Sequence, residues 1–200
     1  MQNFKIVSSF LSAAIFLAAY FPYFRDIFKK RTTPHAYTWL IWAITQGTAV
    51  LGLWYGKGGI GTLGLAVSEI FVIIIFFLSL KYGTRNITVG DTIAFVAALL
   101  AIVVWWQLDQ PLFAILMVSA IDALAYIPSY RKTWEEPWSE TLISWALFLT
   151  GDIFAIAALT EYNTLTVAYL TTLILCNIIF VILCLFRRNK IANPFSVSKQ

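Results

Sequence analysis

Five strongly polar side chains stand near the centres of otherwise apolar runs: Gln46, Glu69, Asp122, Asp152 and Asn177. The three carboxylates can hold a cation or carry a proton. The two amides both donate and accept, which suits hydroxyl-rich or amide ligands. An ionisable group in a membrane span costs about 2.5–3.5 kcal/mol on insertion scales, so each is a functional candidate. Facing lipid they would be unsatisfied, so they are expected to face an interior cavity or one another. For Glu69 the alternative is a hydrogen bond that only joins helices. For Asp122 and Asp152 the choice is between a proton relay or gate and plain polar bridging.

The elements that must position these groups are set by composition. The 200 residues are 60% hydrophobic and 12% charged, about half the charge of a soluble domain, and mean hydropathy is +0.79. Those figures exclude a soluble enzyme, a disulfide scaffold and a nucleic-acid-binding module. Seven apolar stretches stand between polar breaks, at about Ile6–Phe24, Tyr37–Tyr55, Ile60–Leu80, Asp91–Leu108, Pro111–Tyr130, Thr141–Leu159 and Thr164–Phe186.

 Each is long enough to cross roughly 30 Å of hydrocarbon as a helix. With seven spans, one side of the membrane carries Lys5 and Lys57. The other carries Arg25, Lys29, Lys30, Arg31, Lys81, Arg85, Arg131, Lys132, Arg187, Arg188, Lys190 and Lys199. By the positive-inside rule the amino terminus is expected outside and the carboxyl terminus in the cytoplasm.

The chain repeats itself. Ala19-Tyr20-Phe21-Pro22-Tyr23-Phe24-Arg25 returns as Ala125-Tyr126-Ile127-Pro128-Ser129-Tyr130-Arg131, an offset of 106. Pro34, Trp42 and Ala43 match Pro137, Trp145 and Ala146 at an offset of 103. Helices 3 and 7 align at 108, which sets Glu69 opposite Asn177. The reading is an all-α membrane protein of two parallel three-helix repeats, 1–86 and 111–188, joined by a linker helix in 87–110 and followed by a cytoplasmic tail, 189–200. Because three is odd, a linking helix is needed to give both copies one orientation. The repeat also argues against a cleaved signal peptide, since the first span has a later copy.

A three-plus-one-plus-three arrangement of this kind resembles the SWEET and PQ-loop (MtN3-like) transporter superfamily. The resemblance is carried by Tyr20-Phe21-Pro22 before the basic loop Arg25 to Arg31 with Trp39 and Trp42, and by Tyr126-Ile127-Pro128 before Arg131-Lys132 with Trp145. The positions after the prolines, Tyr23 and Ser129, depart from the PQ-loop glutamine. The resemblance implies alternating access between two bundles and a pair of substrate-binding asparagines on helices 3 and 7. Asn177 matches that pair and Glu69 departs from it. It also implies a substrate-binding tryptophan late in helix 2, where Trp54 stands.

The expected substrate-binding residues are therefore Glu69, Asn177, Gln46 and Trp54. Proton coupling falls to Glu69, Asp122 and Asp152. Pro22 and Pro128, which weaken a helix by removing a backbone donor, are expected hinges, with Tyr20 and Tyr126 in the same gate. Trp42 and Trp145 can either pack the bundles or touch substrate. Trp39, Trp54, Trp105, Trp106, Trp134 and Trp138 lie near helix ends, where tryptophan forms interfacial belts.

Other chemistries fail on particular residues. Thr150-Gly151-Asp152 lacks the first glycine of the Gly-x-Gly-Asp proteases, because Leu149 stands there. Helix 7 has no lysine to hold retinal. Gly56-Lys57-Gly58-Gly59 lacks Walker spacing, His35 has no partners at zinc spacing, and Cys176 and Cys184 cannot pair along one helix. No enzyme activity, cofactor or metal is expected. The expected partners are a small polar solute (sugar, amino acid or amine-like) and the lipid bilayer, with no nucleic acid and self-association left open. The plasma membrane is the expected location. The alternatives on the same fold are an uncoupled SWEET-type sugar facilitator and a KDEL-receptor-like membrane receptor.

Overall fold

A computed structural model describes residues 2–83, 88–108 and 110–194. Among them there are seven α-helices and no strand: α1 (Gln2–Phe28), α2 (Ala36–Tyr55), α3 (Thr62–Tyr82), α4 (Val89–Leu108), α5 (Pro111–Glu135), α6 (Leu142–Ala158) and α7 (Thr164–Arg188). Four segments are long and apolar enough to cross a bilayer: Gln2–Phe28, Gly59–Tyr82, Pro111–Glu135 and Thr164–Arg188. The apolar α6 is shorter, at 17 residues. Arg85, Lys199, the boundary placed at 86, and the side chains of Trp105 and Trp106 lie outside the described residues.

The helices run further than the apolar stretches do. α1 continues past Phe24 to Phe28, and α5 past Tyr130 through Arg131 and Lys132 to Glu135. Hydropathy stops at the first charge, whereas arginine, lysine and glutamate are good helix formers and continue the backbone ladder. Pro22 and Pro128 consequently lie inside unbroken helices, about two turns before their ends.

Local chemistry sets several of the helix starts. Pro111 occupies the first turn of α5, where its missing N–H costs nothing. At α7 the Asn163 side chain accepts from the Leu165 and Thr166 backbone N–H groups at 3.0 and 3.3 Å, and the Thr166 hydroxyl accepts from the Asn163 N–H at 3.0 Å. This capping box satisfies N–H groups that the helix itself leaves unpaired. The Asn163 amide also donates to the Gly56 carbonyl at 2.9 Å, tying the start of α7 to the end of α2. Asn163→Ala is expected to lower stability by about 0.5–2 kcal/mol, read as an earlier thermal unfolding transition in detergent micelles; an unchanged transition would refute the cap's role.

In the packing, α3 lies against both α1 and α2, and α7 against both α5 and α6. α1 meets α6, α2 meets α5, and α4 rests on α5 and α2. Small residues allow the closest approaches. Ser12 of α1 donates to the Gly151 carbonyl of α6 at 2.9 Å. A Cβ on Gly151 would stand 2.9 Å from the Phe16 ring, and one on Gly64 would stand 2.1 Å from the Ser12 hydroxyl oxygen. α1 is thus held between α3 and α6 with no room at either contact. The outer surface carries many exposed large apolar residues, among them Phe10, Phe21, Leu51, Ile70, Phe77, Ile127, Ile153 and Ile179. Such a surface is compatible with lipid rather than water.

Candidate functional site

The polar midplane residues meet between the helices. A cavity of about 40 Å³ is lined from α1 by Phe16 and Tyr20, from α2 by Trp39, Trp42 and Gln46, and from α3 by Ser68 and Val72. From the second half come Asp122 and Tyr126 of α5, Trp145, Phe148 and Asp152 of α6, and Tyr169, Leu173 and Asn177 of α7. Every one of these residues is buried. No lysine, arginine or histidine lines the space.

Asp122 is fully buried. Its Oδ1 accepts from the Tyr169 hydroxyl at 2.7 Å and from the Thr45 hydroxyl, which joins α5 to α7 and α2. Its Oδ2 has no hydrogen-bond partner. Asp152 accepts from the Asn177 amide nitrogen at 2.8 Å, and the Asn177 oxygen accepts from the Tyr126 hydroxyl at 3.2 Å. Asn177 therefore bridges α6 and α5 from its place on α7. The Trp42 Nε1 and Gln46 Nε2 atoms are buried without partners. Unpaired polar atoms in a protein interior cost about 1–3 kcal/mol each, so three of them on residues that line one cavity call for partners from a molecule inside it, water or ligand.

Aromatic rings form much of the wall. Trp42 packs on Tyr126 with centroids 4.8 Å apart and on Trp145 at 5.9 Å. Trp145 stacks on Phe180 at 4.0 Å, and Phe148 meets Tyr20 at 4.8 Å. Trp42 and Trp145 therefore both pack α2, α5, α6 and α7 together and line the cavity.

Of the expected site residues, Gln46, Asp122, Asp152, Asn177, Tyr20 and Tyr126 are brought together here. Glu69 is not among the lining residues. It is half-buried, and its Oε1 lies 3.2 Å from where a Cβ on Gly47 would stand, which places it at the α2–α3 contact. Its Oε2 is buried without a partner. The hydrogen bonds explain the displacement. Tyr20 of α1 pairs with Ser68 of α3 at 2.7 Å, and Tyr126 of α5 donates to Asn177 of α7 at 3.2 Å. Ser68, not Glu69, is thus the polar residue that α3 turns toward the cavity. Trp54 is 74% exposed and borders an apolar surface groove with Leu51, Ile60 and Leu63, away from the cavity. Pro22 and Pro128 do not line the cavity either.

Thr45, Ser68 and Tyr169 complete the site but did not stand out in the sequence. Hydroxyl residues are ordinary in apolar helices, and only their facing marks them. Two acids nearer the helix ends also went unremarked. Asp26 accepts from the Arg25 guanidinium at 2.9 Å and from the Thr141 hydroxyl at 2.9 Å, and Thr141 pairs with Thr32 at 2.8 Å. Glu140 pairs with Lys132 at 2.5 Å and accepts from the Trp145 indole at 3.1 Å. One side chain, Trp145, therefore touches both the cavity and this polar cluster.

At the opposite end the α2–α3 and α6–α7 turns are joined through backbone groups. The Thr160 N–H donates to the Gly58 carbonyl at 3.0 Å, and the Lys5 ammonium donates to the Thr160 carbonyl at 2.9 Å. Gly59 has a φ of +61°, and a Cβ there would lie 2.2 Å from the Thr160 hydroxyl oxygen. Glycine alone meets both conditions at that turn. No family model, curated protein or solved structure matches the chain. The function must therefore be argued from the residues themselves.

Proposed function

We propose that the chain is a multi-pass membrane transporter that moves a small polar solute by alternating access between helices 1–3 and 5–7. The observation that carries this reading is the cavity between the two sets, with Gln46, Asp122, Asp152 and Asn177 on its wall. The helix pairings support the repeat behind it. Exchanging 1, 2 and 3 with 5, 6 and 7 turns the α1–α6 contact into the α5–α2 contact and leaves the packing scheme unchanged. That is the relation expected of parallel repeats about one axis, and α4 stands outside it. The same pattern supports the SWEET and PQ-loop resemblance.

The buried carboxylates Asp122 and Asp152 give the protein groups that can take up a proton during the cycle. Opening toward one face requires the Asp26–Thr141 and Glu140–Lys132 contacts to part; opening toward the other requires the Thr160–Gly58 backbone bond to break. With the amino terminus outside, the former is the cytoplasmic gate.

The test is uptake into proteoliposomes from a labelled panel of sugars, amino acids and amines, with and without a pH gradient. Accumulation that follows the gradient is the expected result. Asp152→Asn removes a charge from the cavity wall while keeping an acceptor for Asn177. It is expected to lower uptake by about tenfold or more, and Glu69→Gln to change it less. Absence of flux across the panel by a folded protein would overturn the transporter reading.

A further inference from the structure

The wall of the cavity carries a specific set of unmet needs. Asp122 Oδ2 is a buried acceptor with no donor, while Trp42 Nε1 and Gln46 Nε2 are buried donors with no acceptor. A ligand that satisfies all three must bring both a donor and an acceptor. The charges decide what kind. Asp122 and Asp152 both line the space, and no cationic side chain does. A cation in that position is attracted to the carboxylates, whereas a ligand carboxylate would add a further negative charge with nothing to balance it. The aromatic lining works in the same direction, because Trp42, Trp145 and Tyr126 border the space and aromatic rings attract cations rather than anions. Size is a third constraint: at about 40 Å³ the space matches a ligand of a few heavy atoms better than a hexose.

We infer that the cavity takes a small organic ammonium bearing a hydroxyl group, with the ammonium on Asp122 and the hydroxyl oxygen accepting from Trp42 and Gln46. This inference rests on the reading of the cavity as a substrate site and adds its chemical class. Hydrogen bonds to a charged group contribute about 1.5–3 kcal/mol and those between neutral groups about 1 kcal/mol. The ammonium contact therefore dominates affinity, and the hydroxyl contact sets selectivity.

The experiment is equilibrium binding of labelled ethanolamine to the purified full-length chain in nanodiscs, with ethylamine, glycine, glycerol and glucose as competitors. Ethanolamine is expected to bind most tightly of the five. Asp122→Asn, which keeps an acceptor for Tyr169, is expected to weaken it by about 10- to 150-fold. Gln46→Leu is expected to weaken ethanolamine about fivefold and leave ethylamine unchanged. That difference cannot arise from a merely misfolded variant. Tighter binding of glycine, glycerol or glucose, no ethanolamine binding, or indifference to Asp122→Asn would overturn the inference. A parallel flux assay separates the two proposals. Ethanolamine bound but never transported would overturn the transporter reading and leave the ligand class standing; sugar flux without ethanolamine binding would do the reverse.

Discussion

Asp122→Asn is expected to give a folded protein whose uptake of its solute falls by about 10- to 150-fold, the effect of one lost hydrogen bond to a charged group. Fold and function separate at this residue because its two oxygens do different things. Oδ1 serves the architecture, accepting from Tyr169 and Thr45, and an asparagine carbonyl can do the same. Oδ2 has no partner in the protein. Removing a buried charge also removes its desolvation cost, so thermal stability is expected to stay level or rise. Asp122→Leu is expected to behave differently. Thr45 keeps its 3.0 Å bond to the Ile41 carbonyl, but the Tyr169 hydroxyl is stranded, at a cost of about 1–3 kcal/mol. Uptake and thermal unfolding measured on the same preparations check both statements. An Asp122→Asn protein that transports normally would show that the charge at this position has no role.

The largest structural effect is expected at Gly61. Its φ of −61° is helical, and helix propensity alone would favour alanine by about 1 kcal/mol. The surroundings oppose that. A Cβ at Gly61 would lie 2.8 Å from both Cα and N of Leu159 and 2.9 Å from the Ala158 carbonyl carbon. Those are backbone atoms, which cannot rotate aside as a side chain can. Gly61→Ala is therefore expected to cost about 1–3 kcal/mol or more through overpacking and to loosen the junction between the α2–α3 and α6–α7 turns. Thermal unfolding reports the loss, and cleavage by added protease near Thr160 reports the loosening. A stabilised Gly61→Ala protein would mean that the two segments do not approach this closely.

Much of this was legible in the residue pattern, because an apolar run leaves a helix little choice. All seven helices fall where polar breaks separate such runs, and the midplane residues Gln46, Asp122, Asp152 and Asn177 do converge. The facing of α3 was not legible. Successive residues on a helix are turned by about 100°, so α3 gives Ser68 to the cavity and leaves its neighbour Glu69 at the α2–α3 contact. A carboxylate also draws more attention in an apolar helix than a serine does. Trp54 shows a related limit. Its depth could be estimated from its place near the end of α2, but depth does not reveal whether a ring points inward. The cluster of Asp26, Thr32, Glu140 and Thr141 was hidden for another reason. Asp26 and Thr32 stand more than 100 positions before Thr141 and meet it only after α1 and α6 pack.

The three groups that await a ligand do not share one helix. Asp122 belongs to α5, while Trp42 and Gln46 lie about one turn apart on α2. A solute gripped by its ammonium on one helix and its hydroxyl on another is measured as if between calipers. Lengthening the carbon chain between those two groups is therefore expected to weaken binding even though charge and polarity stay the same.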